Sequence, residues 1–334
     1  MPRPLGAAPG WLGQYRDRTI VVTGAGGFLG GRLVTRLAAT ACRLVRVSRS
    51  ALPPLDPPHA AIAVDVAGDV RDETTWTRVV NGADVVIHFA AQTSAGVADD
   101  NPALDLDANV TPMRHLLQAC RRQQRSPTIL FAGTVTQAGL PAQLPVDEDA
   151  ADCPLTVYDR HKLMAERELE RAVSEGVVPG VTLRLPNIYG PGSADTSRDR
   201  HVLNRMVRMA LRGETLKVFG SGDYLRDYLF VGDAVDAFLI AGAHAGWVSG
   251  RHYVIGSGSG ITIRDAFELI AVRVEAQTGR RVPVVLAEPG RPLSGIEERS
   301  FVANPARFIA ATGWRPAWPL ADGIDRTIES FTCE

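Results

Sequence analysis

Tyr158 and Lys162 stand four positions apart in Tyr158-Asp159-Arg160-His161-Lys162, at the start of a stretch with helical spacing, Tyr158–Ser174. On an α-helix that interval amounts to ~6 Å of rise and places both side chains on one face. An unperturbed phenol has a pKa of ~10. A neighbouring ammonium is expected to draw it toward working pH, where it can pass a proton to a carbonyl oxygen. The chemistry this suggests is acid catalysis of ketone reduction. Thr134 closes the run Phe131-Ala132-Gly133-Thr134 at the end of an apolar strand. Ligands of open α/β sheets bind beyond the carboxyl ends of strands, so its hydroxyl is placed to hold the same oxygen. Each group alone has an ordinary reading, since Tyr-x-x-x-Lys recurs by chance in helices and a strand-end Thr satisfies local backbone.

Positioning these groups requires an ordered scaffold, and the sequence supplies one. Apolar β-rich runs at Thr19–Thr23, Arg43–Val47, Ala61–Val64, Asp84–Phe89, Thr128–Phe131 and Val181–Leu185 read as buried strands. Helical patterns at Phe28–Ala39, Glu73–Val80, Leu104–Arg122 and Tyr158–Ser174 fill most of the gaps. Such alternation argues for an α/β fold with a doubly wound parallel sheet. Beyond Pro186 the pattern changes to Gly/Pro-rich loops, helices at His201–Arg212, Gly232–Ala243 and Ile263–Gln277, and brief strands near Leu216–Val218, Tyr224–Phe230 and Val282–Val285. The expected organisation is a loose tail over 1–18, though Trp11, Leu12 and Tyr15 could dock on the body. A nucleotide-binding domain then covers 19–185, with segments near 224–260 returning to it, and a smaller α/β C-terminal substrate lobe is built from 186–223 and 261–334.

Thr23-Gly24-Ala25-Gly26-Gly27-Phe28-Leu29-Gly30 follows the first strand and opens a helix. Gly24 permits the tight turn, Gly27 lets backbone N–H groups and the positive helix end approach a pyrophosphate, and Gly30 allows close helix–sheet packing. In this context the string reads as a dinucleotide-binding turn. The second strand ends in Val47-Ser48-Arg49-Ser50, where a carboxylate would bind a ribose 2′-hydroxyl and a guanidinium would pair with a 2′-phosphate. NADP(H) is therefore the expected cofactor. Asp65-Val66, taken to follow the third strand, is placed to meet the adenine edge.

The 334 residues carry 36 basic and 37 acidic side chains, for a net charge of −1. That balance, with no long basic run, leaves no electrostatic footprint for nucleic acid or an anionic membrane. No apolar stretch approaches the ~20 residues of a membrane span and no signal core is visible, so a cytoplasmic location is expected. Cys42, Cys120, Cys153 and Cys333 share no Cys-x-x-Cys spacing, which suggests neither a zinc site nor a disulfide framework.

Together these residues resemble the extended short-chain dehydrogenase/reductase family, over nearly everything after Thr19. Further matching segments are His88-Phe89-Ala90-Ala91, Asn109, Leu183-Arg184-Leu185-Pro186-Asn187-Ile188-Tyr189-Gly190-Pro191-Gly192, Arg226-Asp227-Tyr228-Leu229-Phe230-Val231-Gly232-Asp233 and Gly313-Trp314-Arg315-Pro316. The resemblance implies a Rossmann-like fold and a Thr134/Tyr158/Lys162 catalytic triad. It also implies cofactor contacts from Phe28, Leu29, Ser48, Arg49, Ser50, Ala90, Ala91, Asn109, Tyr158, Lys162, Pro186 and Ile188. Asn187 and Arg226 are implied to meet a substrate diphosphate, and Thr93 and Thr134 the sugar. Within the family, Ala132–Gln137 and Tyr158–Lys162 are similar to segments of the 4-ketoreductases of antibiotic deoxysugar pathways, which reduce dTDP-4-keto-6-deoxyhexoses with NADPH. A homodimer through Leu104–Arg122 and Tyr158–Ser174 is implied as well.

Three rival readings are open. Family dehydratases place Asp-Glu directly after the catalytic Thr, whereas Val135 and Thr136 stand here, so dehydration would need a carboxylate from elsewhere. A nucleotide-sugar 4-epimerase normally has the acidic ribose ligand that this chain lacks. Gln137-Ala138-Gly139 replaces the family's Val-Tyr-Gly, a change expected to alter the sugar pocket. A non-catalytic NADP-binding regulator would have no need of the intact triad.

Overall fold

The computed structural model describes residues 10–192, 201–291 and 295–333, so residues 1–9 of the expected tail lie outside the described residues. The first half of the chain forms strands β1 (Thr19–Thr23), β2 (Arg43–Ser48), β3 (Ile62–Ala67), β4 (Val85–His88), β5 (Thr128–Thr134) and β6 (Gly180–Leu185). The second half adds β7 (Asn187–Tyr189), β8 (Leu216–Phe219), β9 (Leu225–Phe230), β10 (Arg251–Val254), β11 (Gly260–Thr262) and β12 (Val284–Ala287). Helices α1 (Phe28–Ala38), α2 (Glu73–Val80), α3 (Ala95–Asp100), α4 (Pro102–Asn109), α5 (Thr111–Gln123) and α6 (Val157–Ser174) intervene in the first half. The second half carries α7 (Val202–Leu211), α8 (Val231–Ala243), α9 (Ala245–Val248), α10 (Ile263–Thr278), α11 (Gly295–Glu298), α12 (Ala306–Thr312) and α13 (Leu320–Thr332).

Seven strands make one parallel sheet in the order β10-β6-β5-β4-β1-β2-β3. Strands covered on both faces need apolar residues at consecutive positions rather than alternate ones. Val85-Val86-Ile87-His88 and the whole of β6 are accordingly buried throughout. One core gathers Leu33 and Leu37 of α1 with Phe238 of α8. The other gathers Trp76 of α2, Leu116 and Leu117 of α5, and Leu169 of α6. The result is a Rossmann-like fold with helices on both faces. Outside the main sheet, β9 pairs with β7 and β11, and β8 pairs with β12. Residues 251–254 return to the main sheet as β10, beside β6.

Three expectations need correction. The third strand is not buried: β3 sits at the sheet edge with β2 as its strand partner, and its exposure alternates. The helix expected over Leu104–Arg122 is two helices, because Pro112 has no N–H to continue α4; α4 ends at Asn109 and α5 starts afresh at Thr111. Order also begins before Thr19. Gly10–Tyr15 forms a 3-10 turn that buries Leu12 and Tyr15, and the Tyr15 hydroxyl donates to the Leu239 carbonyl of α8 at 2.6 Å. Its aromatic residues anchor this segment, outweighing the Pro/Gly content that reads as loose.

Candidate active site

Strand order reverses between β1 and β4, which opens a crevice beyond their carboxyl ends. The glycine turn lies in that crevice. Gly24 has φ +65, and a Cβ there would come within 2.9 Å of the Ala90 nitrogen. A Cβ on Gly30 would stand 2.1 Å from the Gly24 carbonyl oxygen, so the turn closes only with glycine at both positions. Thr23 pins the facing loop. Its hydroxyl accepts from the Phe89 and Ala90 N–H groups and therefore donates to His88 Nδ1 at 2.7 Å. Burial pushes the His88 pKa down to about 3, so the ring stays neutral as an acceptor. Gly27 is exposed at the mouth of the turn, Phe28 and Leu29 are half-buried, and Ala91 is exposed.

At the end of β2, Arg49 and Ser50 are exposed and the Ser48 hydroxyl accepts from the Ser50 N–H. Asp65 and Val66 do not follow the third strand. Both lie inside β3, and Arg46 grips the Asp65 carboxylate through Nε at 2.6 Å and Nη2 at 2.7 Å. Asp69 and Val70 are the residues just beyond that strand, a placement the sequence reading missed because it ended β3 too early. The Asp69 carboxylate accepts from Arg71, and that hydrogen bond, aided by the charge of Arg49, holds its pKa below the usual carboxylate value.

Tyr158 and Lys162 are fixed by the start of α6. Thr156 caps the helix and Asp159 completes a capping box, which places Tyr158 in the first turn. Lys162 is buried, with Nζ 4.0 Å from the centroid of the Phe131 ring on β5. Burial lowers its pKa to about 7 against the opposing pull of Glu166 and Asp105. The phenol departs from expectation. Burial, then the negative charges of Asp159 and Asp105, raise the Tyr158 pKa rather than lower it. The free protein thus holds Tyr158 as a neutral donor. Because kcat/KM reports groups of the free protein, the value for the dinucleotide should fall as pH rises through about 7 and Lys162 loses its charge. Lys162→Arg should flatten that limb in a pH-rate series.

Thr134 ends β5 as the cap of a short 3-10 turn, Val135–Ala138. Its N–H donates to Gln137 Oε1 at 3.1 Å, and Gln137 Nε2 donates to Glu166 Oε2 at 3.3 Å. Arg184 closes this brace, with Nη2 2.5 Å from Glu166 and Nη1 2.8 Å from Asp152. Gln137 is fully buried, so its departure from the family pattern serves this brace and not the sugar pocket. A carboxylate does arrive beside Thr136, from Asp159. Thr136 Oγ1 donates to Asp159 Oδ1 and meets the Thr134 hydroxyl at 2.8 Å. Asp159 is buried and its oxygens serve Thr136 and the Thr156 N–H, which ties this carboxylate to the cap of α6.

Behind the triad lies a polar cluster that the sequence reading did not name. Asp105, fully buried, accepts from Gln92 Nε2 at 2.7 Å, Asn109 Nδ2 at 2.9 Å and His161 Nδ1 at 2.7 Å. Asn109, an expected cofactor contact, thus points its amide nitrogen into the cluster, and its Oδ1 is buried without a partner. Thr93 and Asn187 are exposed, Pro186 is half-buried and Ile188 is in the core. Arg226 is half-buried and donates to the carbonyls of Leu225, Ile296, Glu297 and Arg299.

A doubly wound parallel sheet, a glycine turn at its switch point and a Tyr/Lys pair at the next helix define a Rossmann-type dinucleotide-dependent enzyme class. Residues 20–256 match the model of the NAD dependent epimerase/dehydratase family, and the chain belongs to that family. It is 30% identical over 316 residues to a UDP-glucose 4-epimerase of Mycolicibacterium smegmatis, covering 93% of this chain and 97% of that one. Similarity to a GDP-6-deoxy-D-mannose reductase of Pseudomonas aeruginosa is 31% over 305 residues, covering 89% and 91%. The structure of RMD from Pseudomonas aeruginosa complexed with NADPH superposes with a TM-score of 0.78 at 26% identity, covering 95% and 99%. Among the described residues, no helix is long and apolar enough to cross a membrane.

Proposed function

We propose that the protein reduces the C4 keto group of a nucleotide-linked, dTDP-type 4-keto-6-deoxyhexose with NADPH. The observation that carries this reading is the end of β2, where Arg49 and Ser50 stand exposed beside a half-buried Ser48 and Ser48-Arg49-Ser50 carries a guanidinium in place of a carboxylate. Similarity to a reductase, and to a structure that holds NADPH, supports it. Tyr158 delivers the proton, Lys162 orients the ribose and stabilises the phenolate, and Thr134 lies against the oxygen at C4, which it holds once that oxygen is a hydroxyl. Gly24, Gly27 and Gly30 line the pyrophosphate. Residues 19–185 with the returning strand β10 form the cofactor domain, while 186–223 and 261–334 form the substrate lobe. A cytoplasmic homodimer is part of this reading.

The test is anaerobic incubation with NADPH or NADH and a panel of dTDP- and UDP-linked 4-keto-6-deoxysugars, following nicotinamide absorbance and assigning C4 by NMR. Consumption of NADPH with a defined C4 alcohol is expected, and no consumption with any ketone overturns the reading. Replacing a charge-assisted contact is worth ~10–100-fold in binding. Arg49→Asp should therefore lower the NADPH/NADH preference by about that factor, and an unchanged ratio would remove the cofactor assignment. A second reading, nucleotide-sugar 4-epimerase, draws on the similarity to UDP-glucose 4-epimerases. It would appear in the same assay as C4 inversion without net cofactor consumption.

A further inference from the structure

The direction of the hydrogen bonds around Thr134 follows from what each atom can offer. Asp159, as a carboxylate, only accepts, and the single hydroxyl proton of Thr136 goes to its Oδ1. Thr136 Oγ1 then has no proton for Thr134, so the 2.8 Å contact between the two hydroxyls must run from Thr134 to Thr136. One lone pair of Thr134 Oγ1 takes the Thr136 N–H at 3.3 Å. What Thr134 has left for the crevice is one lone pair and no proton.

We propose that Asp159, acting through Thr136, is a positioning residue that makes Thr134 a hydrogen-bond acceptor toward the substrate, so that the site recognises the C4 hydroxyl in preference to the C4 ketone. This rests on the nucleotide-sugar reading above and deepens it. A ketone oxygen offers lone pairs alone and takes its hydrogen bond from Tyr158, whereas the alcohol has a proton for Thr134 as well. The alcohol gains one contact that the ketone lacks, which draws the bound equilibrium toward the reduced sugar. The arrangement is specific to residue type at 136 and 159. The Thr156 N–H donates to Asp159 Oδ2, so in Asp159→Asn the amide oxygen must keep that place and the nitrogen must face Thr136. The chain then runs backward: the amide donates to Thr136, Thr136 donates to Thr134, and the Thr134 proton is freed for the crevice.

The test is calorimetric binding of dTDP-6-deoxy-D-glucose and its 4-deoxy-4-fluoro counterpart, each with NADPH present so that no turnover occurs. Fluorine cannot donate. The wild type should bind the hydroxyl sugar about tenfold more tightly, the value of one hydrogen bond at a desolvated site. In Asp159→Asn the ratio should collapse toward one or invert. In Thr136→Val, which removes the relay and leaves the cap of α6 in place, it should also shrink. A preference that survives in both variants, or is absent from the wild type while both sugars bind, overturns the proposal and leaves the reductase reading standing. If the wild type binds neither sugar, the dTDP-sugar reading itself fails and takes the proposal with it. Should Asp159→Asn fail to fold, Thr136→Val alone decides.

Discussion

Tyr158→Phe should lower kcat by roughly 10³–10⁴-fold, the upper part of the range for loss of a general acid, while dinucleotide affinity changes little. The phenol is held neutral by burial and by the nearby charges of Asp159 and Asp105, so in the free protein it is a proton donor across the neutral range. Removing only the oxygen leaves the ring packed at the start of α6 and leaves Lys162 in place. Stopped-flow hydride transfer and fluorescence titration with NADPH separate the two quantities. Turnover near the wild-type level in Tyr158→Phe would exclude the phenol as the donor.

Lys162→Met should abolish turnover and at the same time raise stability by on the order of 4 kcal/mol near pH 6. Burial disfavours the ammonium in the fold, where its pKa is about 7, against 10.5 for the ordinary side chain. Between these values the unfolded chain binds the proton that the folded protein has released, so the stability of the wild type rises with pH across that window. The cost of Lys162 is fully present below about 7 and fades toward 10.5. Unfolding curves at pH 6 and pH 10 for both proteins should show the difference shrinking at the higher pH. Equal stability at pH 6 would mean that the ammonium finds compensation beyond Glu166 and Asp105.

The parts of the fold legible in the sequence are those set by local pattern. The unbroken apolar runs of β1, β4 and β6, the exact bounds of α2 at Glu73–Val80, and the glycine turn were all visible because a short window contains their physical cause. What escaped depends on tertiary partners. Asp65 reads as a residue beyond the third strand, facing the adenine, until Arg46 is seen beside it in the neighbouring strand. The direction of the Tyr158 pKa shift follows first from burial, which composition does not report, then from Asp159 and from Asp105, the latter distant in sequence. Gln137 looks like a pocket substitution, and only the presence of Glu166 and Arg184 behind it reveals a brace. A Val-to-Gln change beside a strand-end Thr, with an Arg in the adjacent strand, is the signal that could have raised the suspicion.

The docking of Tyr15 on Leu239 spans 224 residues of sequence, and β10 joins β6 across a shorter detour, with Arg251 paired to Val181. Contacts of such separation require loop closure before they give any return, and they slow folding. As the chain leaves the ribosome, the Gly10–Tyr15 turn emerges well before α8 and has nowhere to sit until that helix has been made. The nascent protein therefore carries Leu12 and Tyr15 unshielded until the segment that buries them has been synthesised.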